Sequence, residues 1–237
     1  MFYFDTTYLI FIVPALIVSA IAQAMVRTRY NKYSKVMNAN GITGAEAARR
    51  VLEANGITYM RIEKISGNLT DHYDPKEDVI RLSAGVYDSA SIAAVGVACH
   101  EAGHAVQHYE EYLPAKFRTA IVKITNISSR LGVILIFAGI VLAAMNPELV
   151  FVAYIGIVAY SACALFQLVT LPTEFNASRR ALKTIKETGM LDTDEQKGAR
   201  KVLSAAAMTY VAALFTSIMT ILRFMIIISR YAGRRND

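Results

Sequence analysis

The stretch Ile92–His108 reads IAAVGVACHEAGHAVQH and carries a metal-binding pattern on a predicted helix. Small apolar residues fill its first half, and the turn residues Asp88-Ser89 precede it, so we predict a helix over about residues 90–110. His100 and His104 are four residues apart and therefore share one face of that helix. Two imidazoles placed in this way can reach one tetrahedral metal ion.

Glu101 adds the chemistry to this pattern. It stands beside the first histidine, within reach of a metal-activated water and without being a ligand itself. Zn²⁺ lowers the pKa of such a water toward ~7, and Glu101 is predicted to act as general base and then to protonate the leaving amine. Gly103, inside the same motif, costs helix stability, which suggests that a neighbouring backbone or a ligand approaches closely there.

A catalytic zinc site needs a third protein ligand. His108 lies ~12 Å of axial rise from His100 if the helix continues, so we expect it at the rim of the site or behind the ligands. Glu174 follows an apolar stretch and falls on the same side of the membrane as His100, which makes it the preferred third ligand. Asp192 and Asp194 are acidic alternatives in a loop farther from that stretch.

Four stretches carry no charged residue over roughly the length of a membrane span. A helix needs about 20 apolar residues to cross ~30 Å of hydrocarbon. The chain is also 54% hydrophobic, above the roughly 45–50% of soluble domains. The second stretch is short and precedes the turn sequence Asn146-Pro147-Glu148, so a helical hairpin with the third is predicted. The stretches are Thr6–Met25, Leu131–Pro147, Leu149–Thr173 and Val202–Leu222.

The basic residues predict how the chain lies in the membrane. Of 25 Lys and Arg residues, 21 fall in segments 26–130 and 172–201, so both segments are assigned to the cytoplasmic side. A basic cluster follows the first stretch, as in a retained anchor rather than a cleaved signal. Topology thus explains the net charge of +6, and no nucleic-acid-reading motif is present. With both segments in the cytoplasm, the last helix points outward. This direction places Arg230, Arg234 and Arg235 outside, against the preference of basic residues for the cytoplasm, and Arg223 lies within the helix itself. A re-entrant or surface-lying helix is the alternative.

We therefore predict an α-rich membrane protein with about four transmembrane helices and a small α+β domain. Within the α+β domain, a helix at 47–54 follows the capping box Thr43-Gly44-Ala45-Glu46, and strands are predicted at 57–65 and 79–83. Pro172 and Thr173 suggest the start of another helix. The predicted segments are an N-terminal anchor (1–26), the catalytic domain (27–130), a transmembrane hairpin (131–173), a third-ligand helix and loop (174–201) and a C-terminal helix with a basic tail (202–237).

Three stretches together resemble the neutral zinc metallopeptidases of the YugP type and, more distantly, HtpX-like and CAAX prenyl endopeptidases. They are Asp71–Pro75 (DHYDP), His100–His108 (HEAGHAVQH) and Leu171–Phe175 (LPTEF). The resemblance implies a zincin-like (gluzincin) catalytic domain, Zn²⁺ as cofactor and Glu174 as its third ligand. It also implies an integral protein of the bacterial cell membrane. The family pattern has Asp two residues after that glutamate, where this chain has Asn176, whose amide oxygen orients a ligand histidine more weakly than a carboxylate.

Other residues near these stretches have open roles. His72 either lines the cleft or is a structural histidine. Arg179 and Arg180 hold a substrate carboxylate, pair with nearby acidic groups or contact lipid headgroups. The strand at 79–83 is either a core strand or a site where an extended substrate adds to the sheet.

The leading functional hypothesis is a zinc-dependent endopeptidase that acts on membrane or membrane-proximal proteins from the cytoplasmic side. Its partners are then a protein or peptide substrate and the lipid bilayer, with no nucleic acid. One alternative is an intramembrane protease of the site-2 type, which holds its metal within a span. Another is a non-catalytic membrane scaffold that binds metal, for which Glu101 has no purpose. Cys99 and Cys163 form no metal-binding pair, and no disulfide is predicted.

Overall fold

A computed structural model describes residues 6–233 of the chain. Helices dominate this part, and the three strands of a small sheet follow the second helix along the chain. The helices are α1 (Val13–Tyr33), α2 (Gly44–Ala54), α3 (Ala84–Tyr87), α4 (Ile92–Tyr109), α5 (Leu113–Met145), α6 (Phe151–Glu187) and α7 (Thr193–Gly233), and the strands are β1 (Arg61–Ile65), β2 (His72–Asp74) and β3 (Val79–Ser83). Arg234 and Arg235, two of the basic residues that bear on the direction of the last helix, lie outside the described residues.

Four helical segments in residues 6–233 are long and apolar enough to cross a membrane, which confirms the predicted number of spans. They are Tyr8–Tyr33, Leu113–Met145, Pro147–Glu187 and Thr193–Tyr231. Each helix extends beyond its charge-free stretch, because a helix that leaves the hydrocarbon can continue with polar residues. The predicted segment boundaries at residues 26, 130, 173 and 201 consequently fall inside continuous helices.

Pro172 does not begin a helix, so that prediction is wrong. It lies inside α6, which runs without interruption from Phe151 to Glu187. A proline inside a helix removes one N–H donor, yet long apolar helices tolerate it when neighbouring groups satisfy the freed carbonyl. Glu174 therefore sits on the same helix as the third apolar stretch, one residue beyond its end.

The described chain divides into two compact units. One contains residues 6–21, 117–170 and 209–233. Within it, Gly132 and Gly139 of α5 bring the backbone of α6 close: a Cβ at Gly132 would lie 2.6 Å from the backbone nitrogen of Tyr160. Small residues allow such packing between apolar helices. A short 3₁₀ turn at Pro147–Val150 connects α5 and α6, where the helical hairpin was predicted around Asn146.

The other unit contains residues 22–116 and 171–208 and holds the sheet. Its strands lie in the order β1-β3-β2, with β1 parallel and β2 antiparallel to β3. The predicted bounds of β3 are confirmed. Of the two roles left open for it, that of a core strand is correct, because β1 pairs with one of its edges and β2 with the other. The prediction that a substrate adds to the sheet at β3 is therefore wrong. The first strand begins only at Arg61, since the Ile57 backbone closes the end of α2 by donating to Leu52.

The apolar core of this second unit forms around α4. Its small residues are almost fully buried and allow α2, α6 and α7 to approach. The Ser91 hydroxyl caps its first turn by accepting from the Ala94 N–H at 3.2 Å. At the first turn of α2, the Thr43 hydroxyl accepts from the Glu46 N–H, as the capping pattern predicted. The predicted helix at 90–110 is observed at Ile92–Tyr109.

Candidate metal centre

The three residues preferred as metal ligands come together in the structure. The Nε2 atom of His100 lies 3.3 Å from Glu174 Oε2, and the Nε2 atom of His104 lies 3.5 Å from the same oxygen. All three potential ligand atoms are within 4.8 Å of one another, and Glu174 is only 2% exposed. The two histidines come from α4 and the carboxylate from α6. Asp192 and Asp194 are not part of this cluster.

The chemistry of this donor set fits Zn²⁺. Two imidazole nitrogens and one carboxylate oxygen are zinc's usual ligands, and three protein ligands leave a fourth position for water or substrate. The opposite nitrogens are already occupied: His100 Nδ1 lies 3.1 Å from Ser178 Oγ, and His104 Nδ1 lies 3.0 Å from Gln107 Oε1. Both Nε2 atoms therefore face the carboxylate, an orientation that outer partners of metal-binding histidines normally enforce.

Glu101 is held beside the cluster by the sheet. Its Oε2 accepts from the backbone N–H of Tyr73 in the edge strand β2 at 3.1 Å. Burial raises the pKa of the Glu101 carboxyl, although His100 and His104 oppose this effect. Burial also lowers the pKa of His104, but the neighbouring Glu174 and Glu101 carboxylates outweigh it and raise that pKa overall. The group predicted as base thus has a fixed position next to the ligands.

Gln107 was missed by the sequence analysis. It is fully buried, and its Nε2 donates to the Thr173 carbonyl at 2.8 Å and to Asn176 Oδ1 at 2.9 Å. Asn176 thus contacts Gln107, and it is Gln107 that contacts the ligand histidine. The available signal was a glutamine three residues after His104, on the same face of α4 as that histidine.

Two other predicted residues, His108 and His72, are exposed and lie outside the cluster. His108 is exposed, and its Nδ1 lies 3.1 Å from the Tyr73 hydroxyl, which donates to Asp78. His72 is exposed, with its Nδ1 2.8 Å from the Thr70 carbonyl. None of these side chains belongs to the three-residue cluster.

The two arginines after Glu174 differ in their surroundings. Arg179 is exposed. Arg180 donates through Nε to Asn176 Oδ1 at 2.7 Å, and its guanidinium forms an ion pair with Glu110, also at 2.7 Å. Of the roles left open for this pair, pairing with a nearby acidic residue is observed for Arg180.

Gly103 explains how α6 can approach α4 so closely. A Cβ at this position would lie 2.8 Å from the Ala177 carbonyl oxygen and 3.3 Å from its Cα. Backbone atoms cannot move aside as a flexible side chain can. The close approach suggested by the glycine within the histidine motif is confirmed, and it brings Glu174, one turn before Ala177, to the histidines.

We expect Gly103→Ala to lower both the melting temperature and the zinc affinity. The clash forces α6 away from α4, and overpacking of this kind costs about 1–3 kcal/mol, which exceeds the ~1 kcal/mol gained in helix propensity. Thermal unfolding with and without zinc, together with chelator competition, measures both effects.

Gly96→Ala is the matched control on the same helix. A Cβ there would lie 3.5 Å from the Ala199 Cβ, which is an ordinary contact. This variant should melt at or above the parent's temperature because it gains helix propensity without a clash. Equal behaviour of the two variants would contradict the close approach at Gly103.

Comparison with known proteins agrees with this site. Residues 8–229 match the family described as "Putative neutral zinc metallopeptidase". The chain is 45% identical over 215 residues to "Putative membrane protease YugP" of Bacillus subtilis (strain 168), covering 91% of this chain and 93% of that protein. No solved structure matches. Both matches extend over nearly the whole chain, its apolar helices included, so the protein belongs to this family of zinc metallopeptidases of the membrane.

Proposed function

We propose that the protein is a zinc-dependent endopeptidase that hydrolyses peptide bonds of membrane or membrane-proximal proteins. The observation that carries this proposal is the convergence of His100, His104 and Glu174 next to Glu101. A donor set of this kind with an adjacent carboxylate suits hydrolysis, and the family membership favours peptide bonds as the target.

The roles of the side chains follow from their positions. His100 and His104 would hold the metal through Nε2, and Glu174 would hold it through a carboxylate oxygen. Bound zinc supplies Lewis-acid activation of a water and of the substrate carbonyl. Glu101 accepts the proton of the attacking water and delivers it to the leaving amine, while the Tyr73 N–H keeps its carboxylate in position.

The arrangement supports a zincin-like catalytic domain of the gluzincin kind. A helix with two histidines packs near a small sheet, and a glutamate from a later helix completes the cluster. The edge strand β2 contacts Glu101 directly, in keeping with a substrate that passes alongside the sheet.

We assign the site to the cytoplasmic side of a bacterial cell membrane. The assignment depends on the two Lys- and Arg-rich segments, 26–130 and 172–201, which include all the proposed ligands. Substrates are then cytoplasmic or membrane-proximal stretches of protein.

The two alternatives fit less well. An intramembrane protease of the site-2 type carries its histidine motif within a span, but α4 is not among the four candidate spans of residues 6–233. A non-catalytic scaffold requires no carboxylate beside the ligands, whereas Glu101 is anchored there by the Tyr73 N–H. Membership of a metallopeptidase family also weighs against the scaffold.

Removal of the metal is the direct test. Purified full-length protein in detergent should cleave casein, lose cleavage after treatment with 1,10-phenanthroline and dialysis, and recover it when zinc is returned in stoichiometric amount. Zinc content by mass spectrometry should follow the activity. Cleavage that persists in protein shown to be free of metal would overturn the proposal, and zinc-loaded protein that cleaves no protein substrate would favour the scaffold alternative.

A further inference from the structure

Gln107 forms hydrogen bonds at both ends of its side-chain amide. Its Oε1 lies 3.0 Å from His104 Nδ1, and its Nε2 donates to the Thr173 carbonyl and to Asn176 Oδ1. The residue is fully buried, so these protein groups are the partners that replace water. A buried side-chain amide with partners at both ends has a defined orientation.

The partners determine which end of the amide faces the histidine. The Thr173 carbonyl can only accept a hydrogen bond, so the NH₂ group of Gln107 must face it. The Arg180 guanidinium can only donate, and its Nε lies 2.7 Å from Asn176 Oδ1, so the amide of Asn176 is oriented as well. Arg180 is itself held by an ion pair with Glu110 at 2.7 Å. The Gln107 oxygen is thereby left for His104.

We propose that Gln107 is a positioning residue that sets the tautomer of His104. An oxygen at this place can only accept, so with zinc bound the His104 ring would carry its proton on Nδ1 and present the lone pair of Nε2 to the metal. Asn176 and Arg180 act through Gln107 by holding its amide in this orientation. The inference rests on the proposed zinc site but does not depend on peptide turnover.

His100 provides an internal contrast. Its Nδ1 contacts the Ser178 hydroxyl at 3.1 Å, and a hydroxyl can either donate or accept. Ser178 therefore tolerates both tautomers of His100, whereas Gln107 admits one tautomer of His104. The two ligand histidines are expected to respond differently when their outer partners are removed.

Two substitutions at Gln107 separate tautomer control from a merely structural role. Gln107→Met keeps the length of the side chain but removes both hydrogen-bonding ends. We expect about a 10- to 100-fold loss of zinc affinity, the usual effect of removing an outer partner of a metal ligand, together with a lower melting temperature. Gln107→Glu keeps an acceptor for His104 while turning an oxygen toward Thr173 and Asn176. It should melt earlier than the parent and yet bind zinc within a few-fold of it.

The readouts are chelator competition for zinc affinity, thermal unfolding, and ¹H–¹⁵N spectra of the imidazoles in zinc-loaded full-length protein. With four histidines in the chain, the spectra can be assigned by substitution. The parent should show a slowly exchanging Nδ1–H on His104, because Gln107 Oε1 accepts it, and in Gln107→Met this proton should exchange faster with solvent. Ser178→Ala, the matched variant at His100, should lose less affinity than Gln107→Met. If Gln107→Met does not fold, Gln107→Asn, one methylene too short to span both partners, should show the same loss.

The proposal is overturned if Gln107→Met keeps both the parent's zinc affinity and the slow exchange of the His104 Nδ1–H. It is also overturned if Gln107→Glu loses as much affinity as Gln107→Met, because affinity would then merely follow stability. If Glu174→Gln bound zinc as tightly as the parent, the metal site itself would be refuted, and with it this role for Gln107.

Discussion

Glu101→Gln should abolish most of the casein cleavage while leaving zinc binding intact. Loss of a general base typically costs about 10²- to 10⁴-fold in turnover, because the attacking water keeps its proton. The amide oxygen of the new side chain can still accept from the Tyr73 N–H, now 3.1 Å from Glu101 Oε2, so the fold and the ligands should be preserved. Turnover per bound zinc, measured with zinc content in the same preparation, is the quantity to compare.

Glu53→Gln is the matched control for this experiment. Glu53 is an exposed carboxylate on α2, and its substitution should change neither turnover nor zinc content. If Glu101→Gln cleaved casein at the parent's rate, Glu101 would not be the base. If it lost zinc together with activity, the residue would act in metal binding instead.

Glu174→Gln should lose zinc, and with the zinc all cleavage. The carboxylate is 2% exposed and its Oε2 lies within 3.5 Å of both histidine Nε2 atoms, so an amide there replaces an anionic ligand by a neutral one. We expect a loss of zinc affinity greater than the ~100-fold upper value for outer partners of metal ligands. Chelator competition on purified protein measures it.

Glu187→Gln tests whether this effect is specific to the position. Glu187 is exposed at the end of the same helix, and its weak ion pair with Lys183 at 3.8 Å contributes little. This variant should bind zinc as the parent does. Parent-like zinc affinity in Glu174→Gln would remove Glu174 from the ligand set and reopen the choice of the third ligand.

Local patterns predicted the elements well where one physical rule dominates. The spacing of His100 and His104 specifies a shared helix face, because four residues make little more than one helical turn. The absence of charge over a spanning length predicted four membrane helices, because a charged side chain is costly in hydrocarbon. The strand β3 was also predicted at its observed bounds, since a short run rich in apolar and β-branched residues follows the turn sequence Asp74-Pro75.

Predictions from the sequence failed where a local pattern was outweighed by packing or was too short to recognise. Pro172 and Thr173 resemble a helix start, but α6 continues through them, because packing and the surrounding hydrogen bonds outweigh one missing N–H. The three-residue strand β2 was missed, since it is short and ends at the turn sequence Asp74-Pro75. That strand matters for the site because the Tyr73 N–H in it holds Glu101.

By itself, the sequence determined the apolar helices, the pair of histidines on one helix face and the glutamate beside them, since these depend on spacing and composition within single elements. Only the tertiary structure decided that Glu174, 70 residues beyond His104, meets both imidazoles, and that Gln107 rather than Asn176 contacts His104. The physical reason is that such contacts depend on how closely two helices pack. Here Gly103 in the motif indicated a close approach, but no local pattern showed that the approaching backbone would be that of Ala177.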